Sequence, residues 1–250
     1  MVPPIEEGPG MRSDDPARSR SRLSRGAVIA LATALCTVPW AAPAQAHGTV
    51  IDPASRNYGC WLRWADDWQD PAMAEQDPMC RQAWQDDPDS LLLWDQVSKT
   101  GAGLGPYNNW GVPDGQLCSA GGAAGGRYDS LDTPGAWHPT VITDPWDNFT
   151  VSVHDSAMHG ADYYWIYLSA PGYDPASEPL AWDDLELVLT TGSYGPDWGM
   201  PSPEPHLPGR TNTVWTNAST DRSGPAVVLT VWKLADQEEF HFLCSDVLFS

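Results

Sequence analysis

From residue 140 onward the apolar residues come in short runs, each cut off by Pro, Gly, Asn or Asp, and this pattern limits the fold more than any other feature. The runs are Phe149-Thr-Val-Ser-Val153, Tyr163-Tyr-Trp-Ile-Tyr-Leu168, Leu185-Glu-Leu-Val-Leu-Thr190, Asn212-Thr-Val-Trp215, Ala226-Val-Val-Leu-Thr-Val-Trp232 and Phe240-His-Phe-Leu-Cys244. Stretches this short, rich in β-branched and aromatic residues and separated by turn formers, predict an all-β fold, an antiparallel β-sandwich. Residues 47–135 read differently. Turn formers such as Asp86-Asp87-Pro88 and Gly101-Ala-Gly-Leu-Gly105 dominate there, with helical possibilities around 71–84 and 89–99. The expectation is a long, Trp-rich insertion of loops and short helices. No repeat and no Ser/Thr/Pro linker divides the chain, so 47–250 reads as a single domain of ordinary size.

The start of the chain reads as a leader. Arg-rich residues 18–25 precede the apolar run 26–40, and Ala44-Gln45-Ala46 has the small-x-small form that a signal peptidase cuts. The run is too short for a membrane span, which takes about 20 residues. No Arg-Arg pair stands before it, so the prediction is Sec-type export, cleavage after Ala46 and a secreted mature protein. Cys36 would leave with the leader, and Cys60, Cys80, Cys118 and Cys244 remain. In an oxidising compartment four cysteines predict two disulfides with three possible pairings. Cys60–Cys80 as a local staple is favoured, which leaves Cys118–Cys244. No Cys-x-x-Cys suggests zinc.

Charge excludes other classes. The formal net charge is −20, with 33 acidic and 13 basic residues. Beyond the leader, clustered Lys and Arg, which nucleic-acid binding by counterion release needs, are missing. An acidic surface also disfavours an anionic membrane. The glycine-rich phosphate loop and the Gly-x-Ser-x-Gly elbow of hydrolases do not occur. Paired carboxylates of a glycosidase carry little weight in so acidic a chain.

One histidine stands out. Cleavage after Ala46 makes His47 the first residue, so its free amine and ring Nδ1 can chelate one metal. A second imidazole would complete three nitrogens in a plane, an arrangement that suits copper(II). The segment His47-Gly48-Thr-Val-Ile-Asp-Pro53-Ala-Ser55-Arg56 resembles the start of the bacterial lytic polysaccharide monooxygenases, secreted copper enzymes first described as chitin-binding proteins. Val112-Pro-Asp-Gly-Gln-Leu-Cys118, Pro171-Gly172-Tyr173, Trp182-Asp-Asp-Leu-Glu186 and Cys244-Ser-Asp-Val247 follow in that family's order.

The resemblance implies an immunoglobulin- or fibronectin-like sandwich with the insertion on a flat copper face. It also implies one copper ion, O₂ or H₂O₂ as co-substrate, an external reductant, and oxidative cleavage of an insoluble polysaccharide by a monomer. Cellulose is favoured and chitin comes next. The second copper ligand implied is His159, with Ala157 two residues earlier shaping the oxygen-facing side; His154 is its competitor, and His138 and His206 read as surface residues. The family carries Glu-x-Phe shortly before the last Cys. Counted without a gap, Glu239 takes the Glu place and His241 stands where the axial Phe belongs; a one-residue bulge would offer Glu238 and Phe240 instead, and Phe242 is a further axial candidate. Trp94, Tyr107 and Trp110 are candidate sugar-stacking rings, while Ser156 stands where many cellulose-active members place a Trp. The rival reading is a non-catalytic polysaccharide-binding or copper-handling protein.

Overall fold

A computed structural model describes residues 47–101, 103–143, 149–203, 207–216 and 222–250. The leader expected over 1–46 and the surface histidine expected at 206 lie outside the described residues.

The strands, in chain order, are β1 (Gly48–Asp52), β2 (Ser98–Thr100), β3 (Thr140–Ile142), β4 (Thr150–Asp155), β5 (Ala161–Ser169), β6 (Leu185–Thr190), β7 (Met200–Pro201), β8 (Arg210–Trp215), β9 (Gly224–Leu234) and β10 (Glu239–Phe249). One sheet has the order β1-β4-β8-β7; the other runs β2-β10-β9-β5-β6, with β3 added beside β10. All neighbours are antiparallel except β3 and β10. The all-β sandwich read from the sequence is therefore the fold. Each of the six expected strands is present. β1, β2, β3 and β7 were not expected, because Ser98-Lys-Thr100 and Met200-Pro201 are short and gain order only from their partners.

The insertion carries helices α1 (Arg56–Trp64), α2 (Met73–Gln76), α3 (Pro78–Asp86) and α4 (Asp89–Leu92). The helix expected over 71–84 is split at Asp77-Pro78, since a residue before Pro avoids helical geometry while Pro suits a first helical position. The stretch 89–99 ends its helix at Leu92 and enters β2. Helix α1 was not expected; its buried Tyr58 and Cys60 face the core, and Cys60 bonds to Cys80 of α3. The second disulfide joins Cys118 to Cys244, so both favoured pairings form.

Strand alternation sorts β10 into two faces. Its register against β9 runs unbroken from Phe240 to Phe249, and against β2 from Glu239 to His241. No bulge shifts it. His241 lies opposite Trp232, which stacks on it and contacts Tyr164; Tyr164 in turn accepts a hydrogen bond at its hydroxyl from Asn212 of the other sheet. Glu239, His241 and Trp232 thus share the face between the sheets. Phe240 and Phe242 share the opposite face, with Phe240 under the Lys233 ammonium and Phe242 near Trp110 of the insertion. The insertion is pinned to that outer face by Cys118–Cys244 and by Arg56, whose guanidinium donates to both carboxylate oxygens of Asp246 at 2.7 and 3.0 Å.

Candidate metal centre

Pairing of β1 with β4 sets His47 beside Ser156, three residues before the second expected ligand, His159. Gly48 lies opposite Asp155, and His47, one residue before the strand, accepts hydrogen bonds at its carbonyl from Ser156 N (3.0 Å) and Ser156 Oγ (2.8 Å). Residues 156–160 then turn back toward β5. Gly160 closes that turn with φ +71°, and a Cβ there would stand 2.5 Å from the Tyr194 carbonyl, so only glycine fits. Gly48 is equally constrained. A Cβ at 48 would meet the Trp232 ring at 2.3 Å, and its N–H donates to Asp95 O at 2.8 Å, bringing the insertion alongside His47. Burial raises the Asp95 carboxyl above its ordinary value, with the His47 charge opposing.

The turn between β9 and β10 supplies the third wall. Asp236 accepts from His159 Nδ1 at 2.9 and 3.1 Å, and the Gln237 amide lies 3.2 Å from the same nitrogen. A carboxylate only accepts, so the proton sits on Nδ1 and Nε2 keeps a free lone pair. That Nε2 is buried and has no protein partner. An imidazole held at one nitrogen by a carboxylate, with its other nitrogen bare, is the arrangement of a metal-ligating histidine. Among the described residues no three His, Cys, Asp or Glu side chains form a ready-made cluster. A metal held by His159 and the His47 ring would take its third donor from the main-chain nitrogen of residue 47, which cleavage after Ala46 would free. The donor set is all nitrogen and suits copper.

His241, expected on the same side of the site, is fully buried, its ring 4.8 Å from that of Trp232 at an interplanar angle of 23°. Both of its nitrogens lack a protein partner. Burial pushes its titration down to about 3, and the nearby charges of His159 and His47 add to the effect, so the ring is neutral. Glu239 Oε1 accepts from the Ser98 hydroxyl at 2.5 Å and lies 4.0 Å from His241 Nε2.

The remaining candidates sort as follows. Ala157 is exposed on the turn before His159, and Met158 beside it has φ 56°. His154 is buried within β4, its Nδ1 3.3 Å from Thr211 Oγ1, and does not join the site. His138 is exposed. Phe242 does not belong on the axial side as expected, because strand alternation turns it to the outer face, and the bulged alternative of Glu238 and Phe240 fails with the unbroken register. Trp94 and Trp110 are buried and cannot stack on a substrate, whereas Tyr107 is 78 % exposed. Sequence reasoning missed Asp236, whose role depends on a hairpin turn 77 residues away, and Trp198, 60 % exposed in the segment whose Tyr194 carbonyl packs on Gly160.

Comparison with known proteins identifies the family. Residues 47–247 match the family model described as "Lytic polysaccharide mono-oxygenase, cellulose-degrading". The chain is 32 % identical to a lytic cellulose monooxygenase of Streptomyces ambofaciens over 82 % of its own length and 54 % of that protein. It is 30 % identical to the chitin-binding protein CbpD of Pseudomonas aeruginosa over 83 % of its length and 48 % of the relative. The chain thus spans about half the length of the curated relatives it matches. Among solved structures, a lytic polysaccharide monooxygenase from Kitasatospora papulosa is 48 % identical with a TM-score of 0.72, over 82 % of this chain and 98 % of that one. The cellulose-active CelS2, solved with copper, is 30 % identical with a TM-score of 0.66, over 82 % and 99 %. The chain belongs to the lytic polysaccharide monooxygenase family.

Proposed function

We propose that this protein, once cut after Ala46 and secreted, oxidatively cleaves glycosidic bonds in an insoluble polysaccharide, with cellulose favoured over chitin, and acts as a monomer. The observation that carries the reading is His159, fixed at Nδ1 by Asp236, bare at Nε2, and placed beside the residue that cleavage would make the amino terminus. Copper bound by the His47 amine and ring and by His159 Nε2 would supply one-electron activation of O₂ or H₂O₂, with an external reductant.

The protein's own groups supply position and access. Ser156 fixes the main chain of His47, and Asp236 sets the orientation of the His159 ring. Exposed Ala157, with no side chain beyond Cβ, leaves room at the surface for a small oxidant. Glu239, oriented by Ser98, presents a carboxylate on the side of His241. Trp198 offers an exposed ring in the segment packed on the His159 turn, where a sugar face can stack. The preference for cellulose rests on the cellulose-active relatives, and chitin stays second because CbpD is named as chitin-binding.

The test is the terminal amine. Protein beginning at His47 should bind copper(II) at least about 100-fold more tightly than the same protein with one extra residue before His47, since a peptide nitrogen is a poorer donor than a free amine. Equal affinity in isothermal titration would overturn the site.

A further inference from the structure

We infer that His241 is a positioning residue that, with Glu239, holds a buried water beside the site where His47 and His159 would bind copper. This rests on the assignment of His47 and His159 as copper ligands.

Four observations lead there. The unbroken β10 register fixes His241 and Glu239 on the face between the sheets, and both lie toward the strand end beside the turn that holds His159. The ring cannot swing away, because Trp232 stacks on it, and Trp232 is anchored in turn by donating Nε1–H to the Gly160 carbonyl at 3.1 Å and by packing against Gly48. Gly48 and Gly160 are the chain neighbours of His47 and His159, so the ring that holds His241 also packs on the main chain beside both expected ligands. Both nitrogens of His241 are buried without a protein partner. Buried polar atoms almost always have a partner, so two bare ring nitrogens call for one that is not protein. Finally, Nε2 lies 4.0 Å from Glu239 Oε1, too far for a direct bond and right for one bridging water.

The experiment compares wild type, His241→Phe and His241→Gln, all beginning at His47 and loaded with copper(II). The readouts are the electron paramagnetic resonance spectrum, deuteron couplings in D₂O, and the ratio of copper(II) to copper(I) affinity. His241→Phe should keep the nitrogen pattern of two histidines and an amine and lose an exchangeable deuteron coupling. Its copper(II)/copper(I) affinity ratio should fall about tenfold, because a polar group held near the metal favours the higher charge. His241→Gln, which retains hydrogen-bonding capacity, should restore most of both. Spectrum and ratio unchanged in His241→Phe would overturn the inference, as would equal losses in both variants, since a packing role does not discriminate between them. If His241→Phe fails to fold, a His241→Gln spectrum without the exchangeable coupling overturns it on its own. Absence of the two-histidine pattern in wild type would instead overturn the copper site itself.

Discussion

At the scale of residues, two imidazoles divide the work. His159 is held at one nitrogen and free at the other, and the hold comes from Asp236 on a different element. If His159 binds copper as proposed, Asp236→Ala should weaken that binding by about 10–100-fold while leaving the fold intact, because Asp236 is more than half exposed and holds only the orientation of the His159 ring; isothermal titration and circular dichroism check it. His241 works in the opposite sense. The water shared with Glu239 serves Nε2 only, and leaving the buried Nδ1 unpaired costs about 1–3 kcal/mol, so metal-free His241→Phe should be more stable than wild type by roughly that amount in denaturant melts. His159 was legible in the sequence because Ala-x-His before a strand is local. Asp236 was not, since nothing near residue 236 marks it as the partner of a ring 77 residues earlier. His241 was legible as a departure, but its side of the sheet needed the register.

At the scale of elements, the β1–β4 pair builds the site and glycine at its first position permits it. Gly48→Ala would drive a methyl to within 2.3 Å of the Trp232 ring, so it should destabilise by about 1–3 kcal/mol through overpacking and disturb the ring stacked on His241. The disulfides rank by the chain they close. Losing Cys118–Cys244, which spans 126 residues, should cost about 5 kcal/mol, against about 3 for Cys60–Cys80 with its 20; thermal melts of Cys→Ser pairs give the order. The long strands could be read from alternation, because β-branched and aromatic residues between turn formers leave few alternatives. The three-residue β2 could not. Its polar residues are strand only because β10 pairs with them, and this pairing sets Ser98 against Glu239. α1 escaped for a related reason: Gly59 and few strong helix formers give little local signal, and burial of Tyr58 and Cys60 decides instead.

At the scale of the whole molecule, the insertion and sandwich are locked by buried charge as well as by sulfur. Arg56 pairs with both oxygens of Asp246 and donates to the Leu131 carbonyl at 2.6 Å, so Arg56→Ala should cost about 3–5 kcal/mol by leaving Asp246 buried and unpaired. A second buried acid makes stability depend on pH. Burial pushes Asp132 up to about 6 although Cys118 N donates to it at 2.7 Å. With a folded pKa above the unfolded one, its stabilising contribution is complete below about pH 4 and lost as pH rises through 6, about 3 kcal/mol in all. Asp132→Asn should remove that slope, which denaturant titrations between pH 4 and 7 measure. The sandwich and both disulfides were readable because each leaves a mark in the sequence. The contacts joining insertion to sheet link distant residues and become visible only in the fold.

The measurement closest to the central claim is mass spectrometry of soluble products from copper-loaded protein beginning at His47, incubated with ascorbate and either cellulose or chitin. The account predicts aldonic-acid or ketosugar oligomers, more from cellulose than from chitin, and none without copper or reductant. Copper bound by His47 and His159 with no oxidised sugar from either polysaccharide would contradict it and favour the non-catalytic, copper-handling reading.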